Sequence, residues 1–227
     1  GKINWKVNIY KKINKKFFKI LSHAFYEGIL YVSDNIGYLY AINAESGEII
    51  WKKNYGVPFK SHIKLFNKKI YLVDQDGRIV CFDFVDGSKI WELGSASRFI
   101  KSQEYLALAI SKSNYAFFIN TAGDLTKVNL NDGIIEWFFP TLDISESSLS
   151  DFFSTSNIVI ENDTLFFSDS LSNTYSINLS NGYLNWKNEV GSTITPIINN
   201  DNLFVLTENG YLVNVDRNSG NVFWSKN

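Results

Sequence analysis

Short stretches in which apolar side chains dominate or alternate with polar ones recur along the whole chain, each bounded by Asp, Asn and Gly. ILYVSD (29–34) and YLYAIN (38–43) flank the turn Asp34-Asn35-Ile36-Gly37, and IYLVDQ and RIVCFD flank Asp76-Gly77. NLFVLTE and YLVNVD flank Asn209-Gly210, a dipeptide that between such strands predicts a tight hairpin. Ahead of the hairpins lie further extended segments, Ser61–Phe66, Asn157–Glu161 and Thr193–Ile198. No window carries the 3.6-residue apolar period of a helix, so the elements are strands and the chain is all-β.

A second pattern is laid over the first. Trp5, Trp51, Trp91, Trp137, Trp186 and Trp224 stand 38 to 49 residues apart, and each has a glycine four places earlier: Gly1, Gly47, Gly87, Gly133, Gly182 and Gly220. Aligned on the tryptophan, the chain reads AINAESGEIIW, CFDFVDGSKIW, KVNLNDGIIEW, SINLSNGYLNW and NVDRNSGNVFW, with Asn or Asp always third. A period of this length marks one four-stranded propeller blade per repeat. The physical reading is a strand ending at Asn/Asp, a polar turn closed by a glycine at positive φ, and a new strand whose fourth residue is an indole. A ring placed once per repeat can lie on the neighbouring blade's turn and direct its N–H at a backbone carbonyl. The pairs Gly47/Trp51, Gly87/Trp91, Gly133/Trp137, Gly182/Trp186 and Gly220/Trp224 are therefore expected to glue blade to blade.

Composition adds limits. With 227 residues, 45% hydrophobic and 16% aromatic, the chain can bury a core, which in a repeat architecture is spread over the interfaces between repeats. The single cysteine, Cys81, excludes an internal disulfide and occupies the first place of the Trp-turn motif, where a packed inert thiol is expected. The net charge of −1 hides an asymmetry, since residues 128–186 hold eight acids and no Lys or Arg. The first 19 residues hold seven lysines, which as solvated strand-edge residues give no reason to expect a nucleic-acid partner. There is no apolar run long enough for a membrane helix.

GYLYAINAESGEIIW (37–51) and GYLVNVDRNSGNVFW (210–224) resemble the PQQ-like propeller repeat, in which a segment of the form GxLYAxDxxTGxxxW closes each blade. The resemblance covers essentially the whole chain and implies a β-propeller of four-stranded antiparallel blades, here five full repeats plus one extra outer strand at Gly1–Trp5. Two branches of that superfamily matter: quinoprotein dehydrogenases, which hold a quinone and calcium on the propeller axis, and non-enzymatic propellers, chiefly the BamB family of outer-membrane assembly lipoproteins. The dehydrogenases typically set a vicinal cysteine pair against the quinone, which one cysteine cannot supply. No nucleophile elbow or glycine-rich phosphate loop is present either. The expectation is a protein that is not an enzyme, with no catalytic residues, no cofactor and no metal; the alternatives are a fragment of a quinoprotein dehydrogenase and a ligand-sensing propeller domain. Asp34, Asp74, Asp76, Asn43, Asp83 and Asp216 all fall where a turn needs a polar residue. His23 and His62, each after a serine and 28 or 29 residues before its blade tryptophan, are expected on equivalent innermost strands, where a repeated Ser-His explains them without a metal.

The resemblance further implies a scaffold in the periplasm, associated with the outer membrane through a lipid anchor absent from this chain, whose partners are the periplasmic domains of the barrel-insertion machinery. Between Trp137 and Asn157 the fourth repeat inserts FFPTLDISESSLSDFFSTS, apolar anchors interleaved with acids. Phe138 and Phe139 are expected to complete the blade, and Leu142, Asp143, Glu146, Leu149, Asp151 and Phe152 to contact the partner. Because Gly1–Trp5 has no first three strands before it, residues 1–227 are expected to be one domain that is a piece of a larger ring of about eight blades, able to self-associate through its terminal blades.

Overall fold

A computed structural model describes residues 1–10, 18–94, 104–141 and 153–227. All twenty strands belong to five four-stranded antiparallel sheets, each made of four consecutive strands in chain order, and no helix occurs among the described residues. The residues fall into two compact units, Gly1–Gly94 and Ser95–Asn227.

The first unit contains two blades. Blade 1 is β1 (Leu21–Tyr26), β2 (Ile29–Asp34), β3 (Tyr38–Asn43) and β4 (Ile49–Asn54); blade 2 is β5 (Lys64–Phe66), β6 (Lys69–Val73), β7 (Ile79–Asp83) and β8 (Lys89–Leu93). The two middle strands of each blade are almost wholly buried, and their apolar faces meet in one cluster built on Tyr31, Leu39, Ile63, Ile70, Leu72 and Phe82. Aromatic rings close it: Tyr55 lies 4.4 Å from Phe82, and Phe59 meets Phe82 edge-on. The other face of blade 1 is covered by the segment before it, with Trp5 and Ile9 packed against Val32, Tyr40 and Ile42. That segment occupies the place of the extra outer strand but has no strand partner among the described residues, so it forms no ladder.

The second unit contains three blades. They are β9 (Leu108–Ile110), β10 (Tyr115–Ile119), β11 (Asp124–Asn129) and β12 (Ile135–Pro140); β13 (Val159–Glu161), β14 (Thr164–Ser168), β15 (Thr174–Asn178) and β16 (Leu184–Asn188); and β17 (Ile197–Asn199), β18 (Asn202–Leu206), β19 (Leu212–Asp216) and β20 (Val222–Lys226). Phe117, Leu125, Leu165, Phe167, Tyr175 and Ile177 fill the space between blades 3 and 4, and Phe166, Trp186, Leu203, Val205 and Val215 that between blades 4 and 5.

In every blade the register of the outer pair slips at one point: after Ala41, Cys81, Lys127, Ser176 and Asn214, the residues opposite the five blade tryptophans. The bulge follows from the turn. The third-place Asn or Asp accepts from backbone N–H groups inside it, as Asn43 does from Glu45 and Ser46 and Asp216 from Asn218 and Ser219, and the closing glycine sits at φ 72–78. An extra residue on one side of a ladder raises local twist at the tryptophan.

Several local expectations are corrected. The Asn209-Gly210 hairpin is not a two-residue turn. β18 stops at Leu206, Thr207 N–H bonds to Tyr211 O, and Gly210 is at φ 83 while Asn209 is not at positive φ. This is the same loop as Asp34–Tyr38 and Asp74–Arg78, where the Asp side chain accepts from the backbone N–H groups two and four residues on. The innermost strands are shorter than the segments assigned to them, and His62 precedes β5 instead of lying in it. Phe138 points to solvent at 65% exposure, whereas Phe139 packs edge-on against Tyr175, as alternation along a strand requires.

Candidate functional site

The repeated chemistry is tryptophan docking. Trp51 donates Nε1–H to Phe84 O at 3.2 Å in the first unit, and Trp137 and Trp186 donate to Ser180 O at 3.1 Å and Arg217 O at 2.9 Å in the second. Trp5 does the same toward Ala44 O at 2.8 Å. Each indole lies flat on the glycine of the recipient turn: a Cβ on Gly87, Gly182, Gly220 or Gly47 would stand 2.6–2.8 Å from the ring. The glycine thus does two things, taking positive φ and leaving room for the ring. Behind each indole stands an aromatic from the second strand of its own blade, Tyr31, Tyr71, Phe117, Phe166 or Phe204, at 5.8–6.2 Å between centroids. Trp91 Nε1 is buried without a hydrogen-bond partner among the described residues, and Gly133 has φ 75. Trp224 has the same ladder position and the same aromatic neighbour but is 37% exposed.

In blades 1, 3 and 4 the turns between second and third strands share a face with the connection that leaves the blade. Tyr55 N–H bonds to Gly37 O and Gln75 N–H to Pro58 O; Thr141 N–H bonds to Gly123 O and Ser192 N–H to Asp169 O. The inserted segment leaves and returns on this face at Thr141 and Phe153, the latter packed against the blade 3–4 core. Leu142, Asp143, Glu146, Leu149, Asp151 and Phe152 all lie outside the described residues.

On the same face of the second unit, between blades 4 and 5, opens a cavity of about 420 Å³. Its wall includes Ser172, Glu189, Gly191, Glu208, Tyr211 and Ser225, and no described residue lining it is basic. The repeat pattern did not point to it, since its residues come from four separate segments. One local signal was available: Ser172, at φ 69, stands where the other four repeats have Gly37, Gly77, Gly123 and Gly210. Gly191 compensates, for a Cβ there would lie 2.2 Å from Ser172 Cα. In blade 1 the roles are exchanged, with Gly37 giving way to Val57, whose carbonyl oxygen would be 2.8 Å from a Cβ on residue 37. A second cavity, of about 400 Å³, lies in the first unit and is lined by Tyr26, Phe66, Phe84, Lys68 and Lys69.

Individual ionisable groups are structural. Asp74 is held by Arg78 at 2.8 Å, and burial pushes its carboxyl above the usual carboxylate range against that pull. Burial also drives the Cys81 thiol up to about 11, beside Tyr71, which leaves a packed and unreactive sulfur. Burial, then Lys64 and His23, lowers the His62 pKa. The two Ser-His serines serve the backbone: Ser22 Oγ accepts from Ile63 N–H and Ser61 Oγ from Val73 N–H. Among the described residues no three His, Cys, Asp or Glu side chains are grouped to hold a metal, and no helix is long and apolar enough to cross a membrane.

Comparison with known proteins places this geometry. The chain is 20% identical to outer membrane protein assembly factor BamB of Shewanella oneidensis, over 99% of this chain and 60% of that protein. It is 21% identical to tetrathionate hydrolase of Acidithiobacillus ferrooxidans, over 87% of this chain and 35% of the relative. Among solved structures, BamB from Moraxella catarrhalis superposes with a TM-score of 0.75 at 14% identity, over 88% of this chain and 61% of that one. The quinohemoprotein alcohol dehydrogenase of Comamonas testosteroni gives 0.69 at 15% identity, over 91% and 42%. The likenesses to solved structures show a PQQ-like propeller fold, and the chain spans about three-fifths of the length of the BamB proteins it matches. A sequence model described as outer membrane protein assembly factor BamB matches residues 1–226, and the chain belongs to that family.

Proposed function

We propose that this chain is a non-catalytic, protein-binding scaffold that acts in outer-membrane protein assembly in the periplasm. The observation that carries the reading is the family match over residues 1–226, joined to repeats whose polar residues are consumed by turns and docking contacts. A rigid stack of blades that holds loops at fixed spacing is suited to binding proteins. The partners proposed are the periplasmic domains of the barrel-insertion machinery. Their contact is assigned to Leu142, Asp143, Glu146, Leu149, Asp151 and Phe152 of the inserted segment, an acidic stretch with apolar anchors.

The domain reading is also a proposal: five blades of a ring of about eight. Five-eighths agrees with the 60% and 61% of the BamB proteins that the chain spans. Trp224, presented like its siblings but half-exposed, would dock on the turn of a further blade.

The test is capture of the periplasmic domains of a barrel-insertion protein by the immobilised chain. Replacement of residues 142–152 by a short Gly/Ser bridge should abolish capture without lowering the melting temperature; undiminished capture would refute the assignment of those residues. The likeness to the quinohemoprotein dehydrogenase supports a second reading, a fragment of a quinone-dependent enzyme. Saturable binding of pyrroloquinoline quinone with calcium, followed by absorbance, would favour it over the scaffold.

A further inference from the structure

The repeats offer an internal template for what the cavity between blades 4 and 5 takes. In blade 1, GYLYAINAESGEIIWK places Tyr38 just after the turn glycine and Lys52 just after the tryptophan. There the ammonium of Lys52 sits 4.5 Å from the centre of the Tyr38 ring and 5.0 Å from that of Tyr40. In blade 4 the lysine after the tryptophan, Lys187, lies 5.4 Å from the Tyr175 ring. A cation over a strand-borne aromatic face is therefore a recurrent fitting of this repeat, worth most where water is partly excluded.

Blade 5 has the ring but not the cation. GYLVNVDRNSGNVFWS puts Tyr211 in the place of Tyr38 and Ser225 in the place of Lys52, and both line the cavity. Tyr211 is 43% exposed, and the lysine nearest in sequence, Lys226, lies over the Trp224 ring. Where blade 1 has a lysine side chain, blade 5 has open space. Three carboxylates line that space: Asp169, which is spent on its own turn by accepting from Leu171 and Asn173 N–H and from Tyr175 O–H, and two others, Glu189 from the connection between the blades and Glu208 from the turn. Neither is in an ion pair among the described residues, and Glu208 Oε1 only accepts a long hydrogen bond from Thr193 Oγ1 at 3.3 Å. Ser170, Ser172 and Thr207 add further oxygens at the wall. An aromatic face, two unpaired carboxylates and hydroxyls, with no base among the lining residues, select for a cation on an apolar stem. The volume, about 420 Å³, is at the small end of ligand sites and suits a single side chain with its backbone.

We propose that this cavity binds a lysine or arginine side chain presented by a protein partner, which takes over the position that Lys52 fills within blade 1. The proposal rests on the scaffold reading and gives it a second contact on the face from which the inserted segment emerges.

The experiment is an NMR titration of the full chain with Ac-Gly-Lys-Gly-NH2, compared with the same peptide carrying Nε-acetyl-lysine, which keeps the stem and loses the charge. Saturable amide shifts are expected at 170–173, 189–191 and 207–211 with the charged peptide only. Glu189→Gln with Glu208→Gln should weaken binding at least about tenfold, the cost of removing two charge-assisted contacts. Ser225→Lys should supply the missing cation from within and abolish binding while leaving spectral dispersion native. Equal shifts from the acetylated peptide, shifts confined to other residues, undiminished binding by Ser225→Lys, or the same shifts from calcium chloride alone would each overturn the proposal. Capture of the periplasmic domains by the Glu189→Gln/Glu208→Gln variant separates the two readings. If the peptide fails to bind but capture persists, only the pocket assignment falls; if the chain captures nothing under any condition, the scaffold reading falls.

Discussion

Trp186→Ala isolates the docking contact that repeats through the fold. Trp186 is 8% exposed, packs with Phe166, Leu203, Val205, Val213 and Val215, donates to Arg217 O and lies on Gly220. An indole of this burial removes about 200 Å² from water, which at about 25 cal/mol per Å² amounts to about 5 kcal/mol. Alanine keeps a small part of that, while a lost hydrogen bond adds about 1 kcal/mol and leaves the Arg217 carbonyl short of a donor. Truncation of a buried aromatic thus falls at about 3–5 kcal/mol. With a urea slope of about 2 kcal/mol/M, the midpoint should drop by about 2 M. The readout is urea unfolding followed by far-UV circular dichroism, because tryptophan fluorescence is itself altered by the substitution. Trp224→Ala is the matched control: same ladder position, same aromatic neighbour, no recipient turn among the described residues, and an expected loss below about 1 kcal/mol. Equal losses for the two variants would refute the reasoning, since they would show that the tryptophan stabilises its own blade and not the joint to the next.

Gly220→Ala should destabilise by at least about 1 kcal/mol from positive φ alone, and by more because its Cβ would meet the Trp186 ring at 2.7 Å; unchanged urea unfolding would contradict the docking geometry. Ser172→Gly should stabilise by up to about 1 kcal/mol, because φ 69 is strained for serine, whereas Gly191→Ala should be strongly destabilising; thermal melts of the two variants with opposite signs would bear this out. The folded His62 pKa lies below the unfolded value of about 6.5. The unfolded chain therefore binds more protons in the window below about pH 6.5, so stability should fall as pH is lowered through that window and stay level above it. His62→Phe should flatten the dependence, and a pH profile identical to that of the parent chain would count against the partial desolvation that lowers this pKa.

The parts of the fold legible in the sequence are those where a physical demand admits few residue types. Positive φ beneath an indole leaves only glycine, so Gly47, Gly87, Gly182 and Gly220 are visible at once, and a side chain that must accept from two N–H groups in a turn leaves Asn, Asp or a weaker hydroxyl. The parts that were misread are those where one dipeptide serves two geometries. Asn209-Gly210 fits a two-residue hairpin, yet it supplies only the third and fourth positions, ahead of Tyr211, in the longer turn that every blade uses. Two-residue turns lie elsewhere, at Glu27-Gly28, Asn67-Lys68, Asn162-Asp163 and Asn200-Asp201, and a lysine at φ 56 gives no sequence signal at all. Phe138 and Phe139 illustrate a parity limit, because neighbouring identical residues on a strand face opposite ways and composition cannot say which is inside. The cavity was hidden for a different reason: it is assembled from a turn, a connection, the next turn and the last strand, and the serine at position 172 is what breaks the pattern locally.

A repeat protein carries its own control experiment, because any requirement common to all blades appears in all of them. Tryptophan, turn glycine, Asx acceptor and the aromatic behind the indole are such requirements, and they account for stability and not for partner choice. Specificity has to reside in what one blade has and its siblings lack, since a feature shared by five blades would bind five times. By that criterion the inserted segment of the fourth repeat is one candidate and the Ser172/Gly191 exchange, with Ser225 in the lysine position, is another. The exchange is the more telling because it costs something: a serine at φ 69 is a less stable choice than the glycine that blade 1 has at that place. Strain kept in blade 4, beside a cavity that blade 5 leaves without its lysine, is the kind of departure from the repeat that a binding site on such a scaffold requires.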